Sequence, residues 1–358
     1  MSAPAASVVV PCRNVEGSVK AALAGVLESP FRDVEVIAVD DGSTDGTWRV
    51  LETIARDDPR VRPLRAPGHG VSAARNAGMD AATGEFIFFI DADDVVEPDL
   101  VPTVISAMRR ANADYCRFAH DETPPHEATG SRIPFPLKAD YRFDSPDEIL
   151  ARYIPCFFGY SFEQVRNWYA GQPLMDGRER GGVAFGCFRA AVIRAAGIRF
   201  DETVEIFEDA MFTSEYLLAC HRTTAVDAVL YHYLLKPSGS MLSKLSGPEF
   251  FRNKLRLLAK RKALDAKSGG RLTSQYAASC VFSLLELLRA AFVMRGCFAM
   301  GLSAFRQYGR DPVVRTALRG FPLSWRRPGL AVGVLLCRCL FGRAGGCARC
   351  GDRHGVVV

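Results

Sequence analysis

The 358-residue sequence predicts an α/β fold, a mostly parallel sheet with helices on both faces, continued by a helical C-terminal region. Three observations carry that expectation. From Ser7 to Ala119, short β-branched runs alternate with helical patterns about ten residues long, the mark of crossover units that lay strands in parallel. Turns rich in Asp and Gly follow several of those runs, and in such sheets ligands gather beyond the strands' carboxyl ends. Beyond Pro248 the pattern changes to long helices.

Taken in order, strands are expected over Val8–Pro11, Val34–Asp40, Val61–Arg65, Phe86–Ile90 and Asp114–Ala119. Helices are expected over Ser18–Glu28, Thr44–Asp57, Ser72–Ala81 and Pro98–Arg110, and the loops after Val10, Val39 and Ile90 become the places to look for a site. Residues 120–180 are less regular and rich in Pro and aromatics, with no traceable period. Patterning resumes with a strand-like GVAFGCF, a helical RAAVIRAAG stopped at Gly197, and a helix over EDAMFTSEYLLAC. Val281, Leu284, Leu285, Leu288 and Phe292 fall at helical spacing and form one packing stripe. The chain divides near residue 245, with 1–245 as the α/β domain and 246–358 as the helical region. No internal repeat is present.

Bulk composition narrows the function classes. Hydrophobic residues make up 48%, enough for a large core, and the net charge of +5 is too diffuse to argue for nucleic acid. The N-terminal MSAPAASVVVP lacks the basic region and cleavage site of a signal peptide. Eleven cysteines are scattered, and Cys116, Cys187, Cys220 and Cys280 sit in apolar stretches, as reduced core thiols of a cytoplasmic protein do. Glu286, Arg289, Arg295 and Arg338 interrupt the best apolar runs below spanning length, so no transmembrane segment is expected.

Two segments carry the chemistry. In VEVIAVDDGSTDGT, a buried strand ends in Asp40 and Asp41, a Gly-Ser turn follows, and Asp45 falls in the first turn of the next helix. A turn plus a helix cap accounts for Gly42, Ser43 and Asp45 but not for Asp40; acids in that position suit a ribose or a base edge. In FIFFIDADDVVEPD, five apolar residues bury a strand, and Asp91, Asp93 and Asp94 then emerge together. Three adjacent carboxylates are costly without a neutralising cation, and hard oxygen ligands suit Mg²⁺ or Mn²⁺ holding a diphosphate. Asp94 is read instead as a cap for the helix entered through Pro98. Between the two, GHGVSAARNAGMDAATGE offers Gly68 and Gly70 for close backbone approach, Ser72 as a cap, and Arg75 and Asn76 on one helix face. Arg75 could fork onto a phosphate or a base carbonyl, or pair with a nearby acid.

The order VVVPCRN, VEVIAVDDGSTDGT, GVSAARNAG and GEFIFFIDADDVVEPD resembles the family 2 glycosyltransferases of the GT-A fold, in particular bacterial enzymes of surface-polysaccharide assembly. The resemblance covers about residues 5–120 strongly and 180–245 moderately. It implies a nucleotide-sugar donor, a UDP-sugar, with the donor half near 5–120 and the acceptor and catalytic-base half near 121–245. Asp40 would contact the base, Asp91 the ribose and Asp93 a divalent metal, Mn²⁺ or Mg²⁺, with Pro11, Arg13, Asn14, Asp41, Arg75, Asn76 and Ala92 completing the donor site. The family's acidic pair has its counterpart in Glu208-Asp209, making Asp209 the catalytic base, and YHYLLKPSGSMLSK places His232 and Ser240 beside the site. Where the family usually has a tyrosine before the asparagine of the first motif, this chain has Arg13, which can also stack on a base. The implied acceptor is a hydroxyl of a saccharide or a lipid-linked saccharide.

Two features stand apart. Cys337, Cys339, Cys347 and Cys350, with His354, do not follow a standard zinc spacing, and a reduced tail is the preferred reading. Trp325, Arg326, Arg327 and Arg338 flank an apolar GLAVGVLLC, which suits either a core helix or peripheral contact with an anionic membrane at the inner face. Three other functions fit parts of the pattern. A nucleotidyltransferase would want a glycine-rich basic first loop, which PCRNVEGS lacks; a polyprenol-phosphate sugar transferase or a non-catalytic nucleotide-sugar-binding protein would share the donor site.

Overall fold

The computed structural model describes residues 3–123, 132–135, 137, 141–172, 182–235, 247–293 and 298–320. The α/β half opens with β1 (Ala6–Cys12), α1 (Val19–Glu28), β2 (Val34–Asp41), α2 (Thr47–Asp57), β3 (Val61–Ala66), α3 (Val71–Ala81) and β4 (Phe86–Phe89). It continues with β5 (Val95–Val96), α4 (Leu100–Ala111), β6 (Tyr115–Thr123) and β7 (Ile133–Phe135). The middle of the chain forms α5 (Pro146–Glu148), a π turn (Ile149–Tyr153), α6 (Ile154–Phe158) and α7 (Phe162–Tyr169). Then come β8 (Gly186–Arg189), α8 (Ala190–Ala196), α9 (Glu208–Leu217) and β9 (Thr223–Leu234), and the helices α10 (Gly247–Lys267), α11 (Thr273–Val293), α12 (Phe298–Gly309) and α13 (Pro312–Gly320).

The sheet runs β3-β2-β1-β4-β8-β6-β9-β5, with β7 added beside β6. β1 pairs in parallel with both β2 and β4, so the loops after these three strands open side by side at one sheet edge. β8 runs antiparallel between β4 and β6, and β5 antiparallel to β9, so the sheet is mixed though mostly parallel. Successive side chains of a strand face opposite ways, and both faces are covered. Val9, Ile37, Val39 and Phe89 enter one core with Ala74 and Met79 of α3. Val8, Val10, Val36 and Phe88 enter the other with Leu23 of α1 and Val104 and Met108 of α4. This is why Val8–Val10, Val36–Val39 and Phe86–Phe89 run apolar without alternation.

The C-terminal helices extend the first of these cores. Leu257, Leu258 and Leu264 of α10, and Tyr276, Val281, Leu284 and Leu285 of α11, join Phe89, Phe200 and Phe212 in one buried cluster. The stripe read from the sequence is packing surface at Val281, Leu284 and Leu285; Leu288 and Phe292 have side chains outside the described set. No helix among the described residues is long and apolar enough to cross a membrane. The six cysteines described are all free thiols, five of them buried.

Several local expectations change. α2 starts at Thr47, so Asp45 precedes the helix and ties the turn, accepting from Thr47 N–H at 3.0 Å and from the Thr47 hydroxyl at 2.6 Å. Ser72 lies inside α3, whose cap is Gly70 at φ +103, a conformation that favours glycine. Half of GVAFGCF is a 3₁₀ turn at Val183–Phe185 before the strand begins. Gly197 does stop α8, at φ +62. In the stretch that showed no period, a capping box of Ser161 and Gln164 opens α7; that SFEQ signal was present in the sequence.

Candidate functional site

The loops after β1 and β2 are stitched together by their own side chains. Asn14, at φ +53, accepts from Thr44 N–H at 2.8 Å, while its backbone N–H donates to Ser43 Oγ at 3.0 Å. Val15 N–H donates to Thr47 Oγ1 at 2.8 Å, and Glu16 accepts from Gly46 N–H. The Asn14 side chain is therefore spent on loop geometry. Pro11, half-buried, and Arg13, 57% exposed at its side chain, stand at the rim of this loop pair.

Asp40 and Asp41 are both buried at the end of β2. Asp40 accepts from Ser43 N–H at 3.1 Å, closing the Gly-Ser turn. Asp41 accepts from Gly70 N–H at 2.9 Å, with the Arg13 guanidinium 3.6 Å away, and its Oδ1 is buried without a hydrogen-bond partner among the described residues. A methyl group at Gly42 would lie 3.1 Å from the Gly68 Cα, so two glycines let the second and third loops close over these acids.

The three aspartates after β4 do not face one another as a bare cluster. Asp91 is paired with Arg75 at 3.0 Å. Asp94, 1% exposed, accepts from the Tyr231 hydroxyl at 2.6 Å and from Leu234 N–H at 2.9 Å. It thus anchors β9 to the loop rather than capping α4, as the sequence had led us to expect. Burial, with Asp91 beside it, pushes its carboxyl up to about 8. Asp93 is half-buried, and the Ala92 carbonyl accepts from Ser18 Oγ at 2.9 Å. An arginine and a raised proton affinity therefore relieve the repulsion that composition alone assigned to a cation. Among the described residues no group of three or more His, Cys, Asp or Glu is placed to hold a metal ion.

Arg75 joins this loop to the start of α9. Its side chain is 6% exposed, and its other arm donates to Glu208 at 2.9 Å. Burial opposes its charge, but Asp91, Glu208 and Asp209 outweigh that and raise its pKa. Glu208 is raised in turn, burial winning over the pull of Arg75. Asp209 is half-buried and accepts from Ala210 N–H at 2.7 Å. Burial first and Glu208 second push it up to about 7, against the lowering effect of Arg75. A methyl group at Gly182 would lie 3.5 Å from Asp209 Oδ2, so the segment entering there borders the carboxylate.

Two expected neighbours have partners within the chain. Asn76 holds the chain before α9: its amide donates to the Phe200 carbonyl at 3.0 Å and to Glu202 at 2.9 Å, and its oxygen accepts from Phe200 N–H at 3.0 Å. His232 is buried between Asp121 at 2.9 Å and Glu97 at 2.7 Å, with Arg132 at 3.1 Å. Ser240, the C-terminal cysteines with His354, and Trp325 to Arg338 lie outside the described residues. The bridging of Glu208 by Arg75 was legible only as one of two options for Arg75, and the Tyr231–Asp94 bond had no sequence signal.

A covered, mostly parallel sheet with acids at the carboxyl ends of β2 and β4, and an acidic pair opening a later helix, defines the GT-A class of fold. Residues 7–168 match the model of glycosyl transferase family 2. EpsJ, an uncharacterized glycosyltransferase of Bacillus subtilis, is 25% identical over 237 residues, 66% of this chain and 62% of EpsJ. The GalNAc(5)-diNAcBac-PP-undecaprenol beta-1,3-glucosyltransferase of Campylobacter jejuni is 28% identical over 163 residues, 43% of this chain and 50% of that protein. The chain thus spans 62% or less of the length of these relatives. S. aureus TarS residues 1–349, solved in complex with UDP-GlcNAc, shares the fold at TM-score 0.56 and 16% identity, over 88% of this chain and 92% of that one.

Proposed function

We propose that this chain is an inverting glycosyltransferase. Its donor would be a nucleotide-diphosphate sugar, a UDP-sugar, and its acceptor a hydroxyl of a saccharide or lipid-linked saccharide in cell-surface polysaccharide synthesis. One observation carries the reading: Arg75 ties the strand-end acid Asp91 to the helix-start acid Glu208, which sets a half-buried Asp209, with its carboxyl near neutrality, beside the sheet edge where ligands collect. Similar proteins support it: TarS was solved with UDP-GlcNAc, which bears on the donor, and the Campylobacter relative is named for an undecaprenol-linked saccharide, which bears on the acceptor.

Under this reading, Asp40 and Asp41 meet the base, Pro11 and Arg13 flank it, and Asp91, held by Arg75, meets the ribose. Asn14, Asn76 and Ala92 act through the loops they hold. The donor set fits a hard divalent ion: Asp93 is half-buried at the strand end, and Mg²⁺ or Mn²⁺ is commonly held by one or two carboxylates plus substrate phosphates. Such an ion, when bound, would neutralise the departing diphosphate. Asp209 takes the proton of the acceptor hydroxyl as its oxygen bonds to the anomeric carbon, while the bond from that carbon to the diphosphate oxygen breaks on the opposite face. A single displacement inverts the configuration.

The test is a screen of nucleotide-sugars, with Mn²⁺ present, for thermal stabilisation and for release of nucleotide diphosphate. A true donor raises apparent stability by mass action. Stabilisation by UDP-sugars followed by acceptor-dependent UDP release is expected. A flat response across all nucleotide-sugars would overturn the proposal.

A further inference from the structure

We propose that Asn253, on α10, is a positioning residue for the turn that carries Glu208 and Asp209, so that the C-terminal helices help to set the reactivity of the site. The proposal rests on reading Asp209 as the base.

Asn253 is 3% exposed, and its Oδ1 accepts two consecutive backbone hydrogen bonds, from Glu205 N–H at 2.8 Å and Ile206 N–H at 3.3 Å. The next residue, Phe207, stands at φ +68 and ψ +18, a left-handed conformation that a bulky side chain seldom adopts. The residue after it is Glu208, the first of α9. Strained backbone of this kind persists only where its surroundings over-determine it. Here the turn is gripped from both sides: Asn253 holds residues 205 and 206, and Arg75 holds residue 208. Without the Asn253 acceptor, the Glu205 and Ile206 N–H groups lose their partner, and Phe207 is free to relax toward the ordinary right-handed region. That relaxation would rotate the start of α9 and swing Asp209 away from the place where an acceptor hydroxyl must meet it.

Asn253 is not what docks α10. Leu257, Leu258 and Leu264 bury that helix in the main core. Arg256 donates to the Thr203 carbonyl at 3.0 Å, Lys260 to Glu215 at 2.6 Å and Arg261 to the Phe158 carbonyl at 2.7 Å. Removing one amide should leave all of these in place. Asn253 also lies beyond residues 7–168, the part that matches the family model, so this grip is carried by the chain's own C-terminal helices.

The experiment compares Asn253→Ala and Asn253→Asp in the full chain. UDP with Mn²⁺ serves as the binding probe, UDP release from UDP-sugar as the turnover assay, and hydrogen exchange at Glu205 and Ile206 as the local readout. In Asn253→Ala, kcat should fall roughly 10- to 100-fold, the scale of a small misplacement of a catalytic group, with UDP affinity within about twofold and faster exchange at both amides. Asn253→Asp keeps an acceptor oxygen and should recover most of kcat. Wild-type kcat in Asn253→Ala, an equal loss of UDP affinity, or a chain that fails to fold would each overturn the proposal, the last by making Asn253 a determinant of the fold. Asp209→Asn separates the two claims. If that variant is fully active, the base reading fails; if it is inactive while Asn253→Ala is normal, only the role of Asn253 fails.

Discussion

Arg75 donates a 2.9 Å hydrogen bond to Glu208, 133 residues further along the chain, and through it the donor-side loop and the acid-bearing helix become one charged unit. The guanidinium is buried, and its second arm meets Asp91 at 3.0 Å. Removing one partner from such a group leaves a buried charge without compensation.

Arg75→Met is therefore expected to lower unfolding stability by about 3–5 kcal/mol, measured by urea denaturation at neutral pH. Glu208→Gln added to that variant should recover part of the loss, because the stranded carboxylate is what costs. A double variant no more stable than the single one would show that the bridge is not the source.

The rate should depend on pH through Asp209. Its carboxyl is pushed up to about 7, and a general base works only when ionised, so kcat should rise with pH through about 7 and level off above it. Asp209→Asn should lose roughly 10²- to 10⁴-fold in kcat, and its residual rate should lack that limb. The sign for stability is opposite. Because folding raises this pKa, the protonated carboxyl favours the fold at acid pH, and that contribution is lost as pH rises toward and through about 7. Asp209→Asn should thus gain in thermal stability relative to the parent between pH 5 and pH 8.

Asp93 and Asp94 follow one another in the same turn yet should fail differently. Asp93→Ala should leave the fold intact while abolishing the metal-dependent part of UDP binding, read by calorimetry with and without Mn²⁺. Undiminished turnover in EDTA would sink the metal assignment. Asp94→Ala should instead destabilise, by about 1–3 kcal/mol, because the Tyr231 hydroxyl and Leu234 N–H lose their acceptor.

Asn76→Ala tests whether that amide meets donor or only chain. Its three hydrogen bonds all go to Phe200 and Glu202, so a loss of about 1–3 kcal/mol in stability is expected, with UDP affinity unchanged. A selective fall in UDP affinity would return it to the donor site.

Although β5, β7 and β9 were not legible in it, the sequence by itself determined β1 to β4 and β6, their apolar burial and the acids at the ends of β2 and β4. Those features are local: a run such as FIFFI has the same period wherever it sits, and an Asp after it must emerge at the strand's end. The glutamate and aspartate opening α9 were visible too, through their resemblance to a family pattern. What only the tertiary structure decided is how those charges are balanced. Arg75 could equally have met a phosphate, Asp94 could have capped α4, and nothing in the sequence near Asn253 points to Glu205 and Ile206. Each outcome depends on partners more than 40 residues apart, brought together by sheet order and by the docking of α9 and α10. Burial then does the rest, since a carboxyl's proton affinity is set by the water and charges around it, which local patterning does not specify.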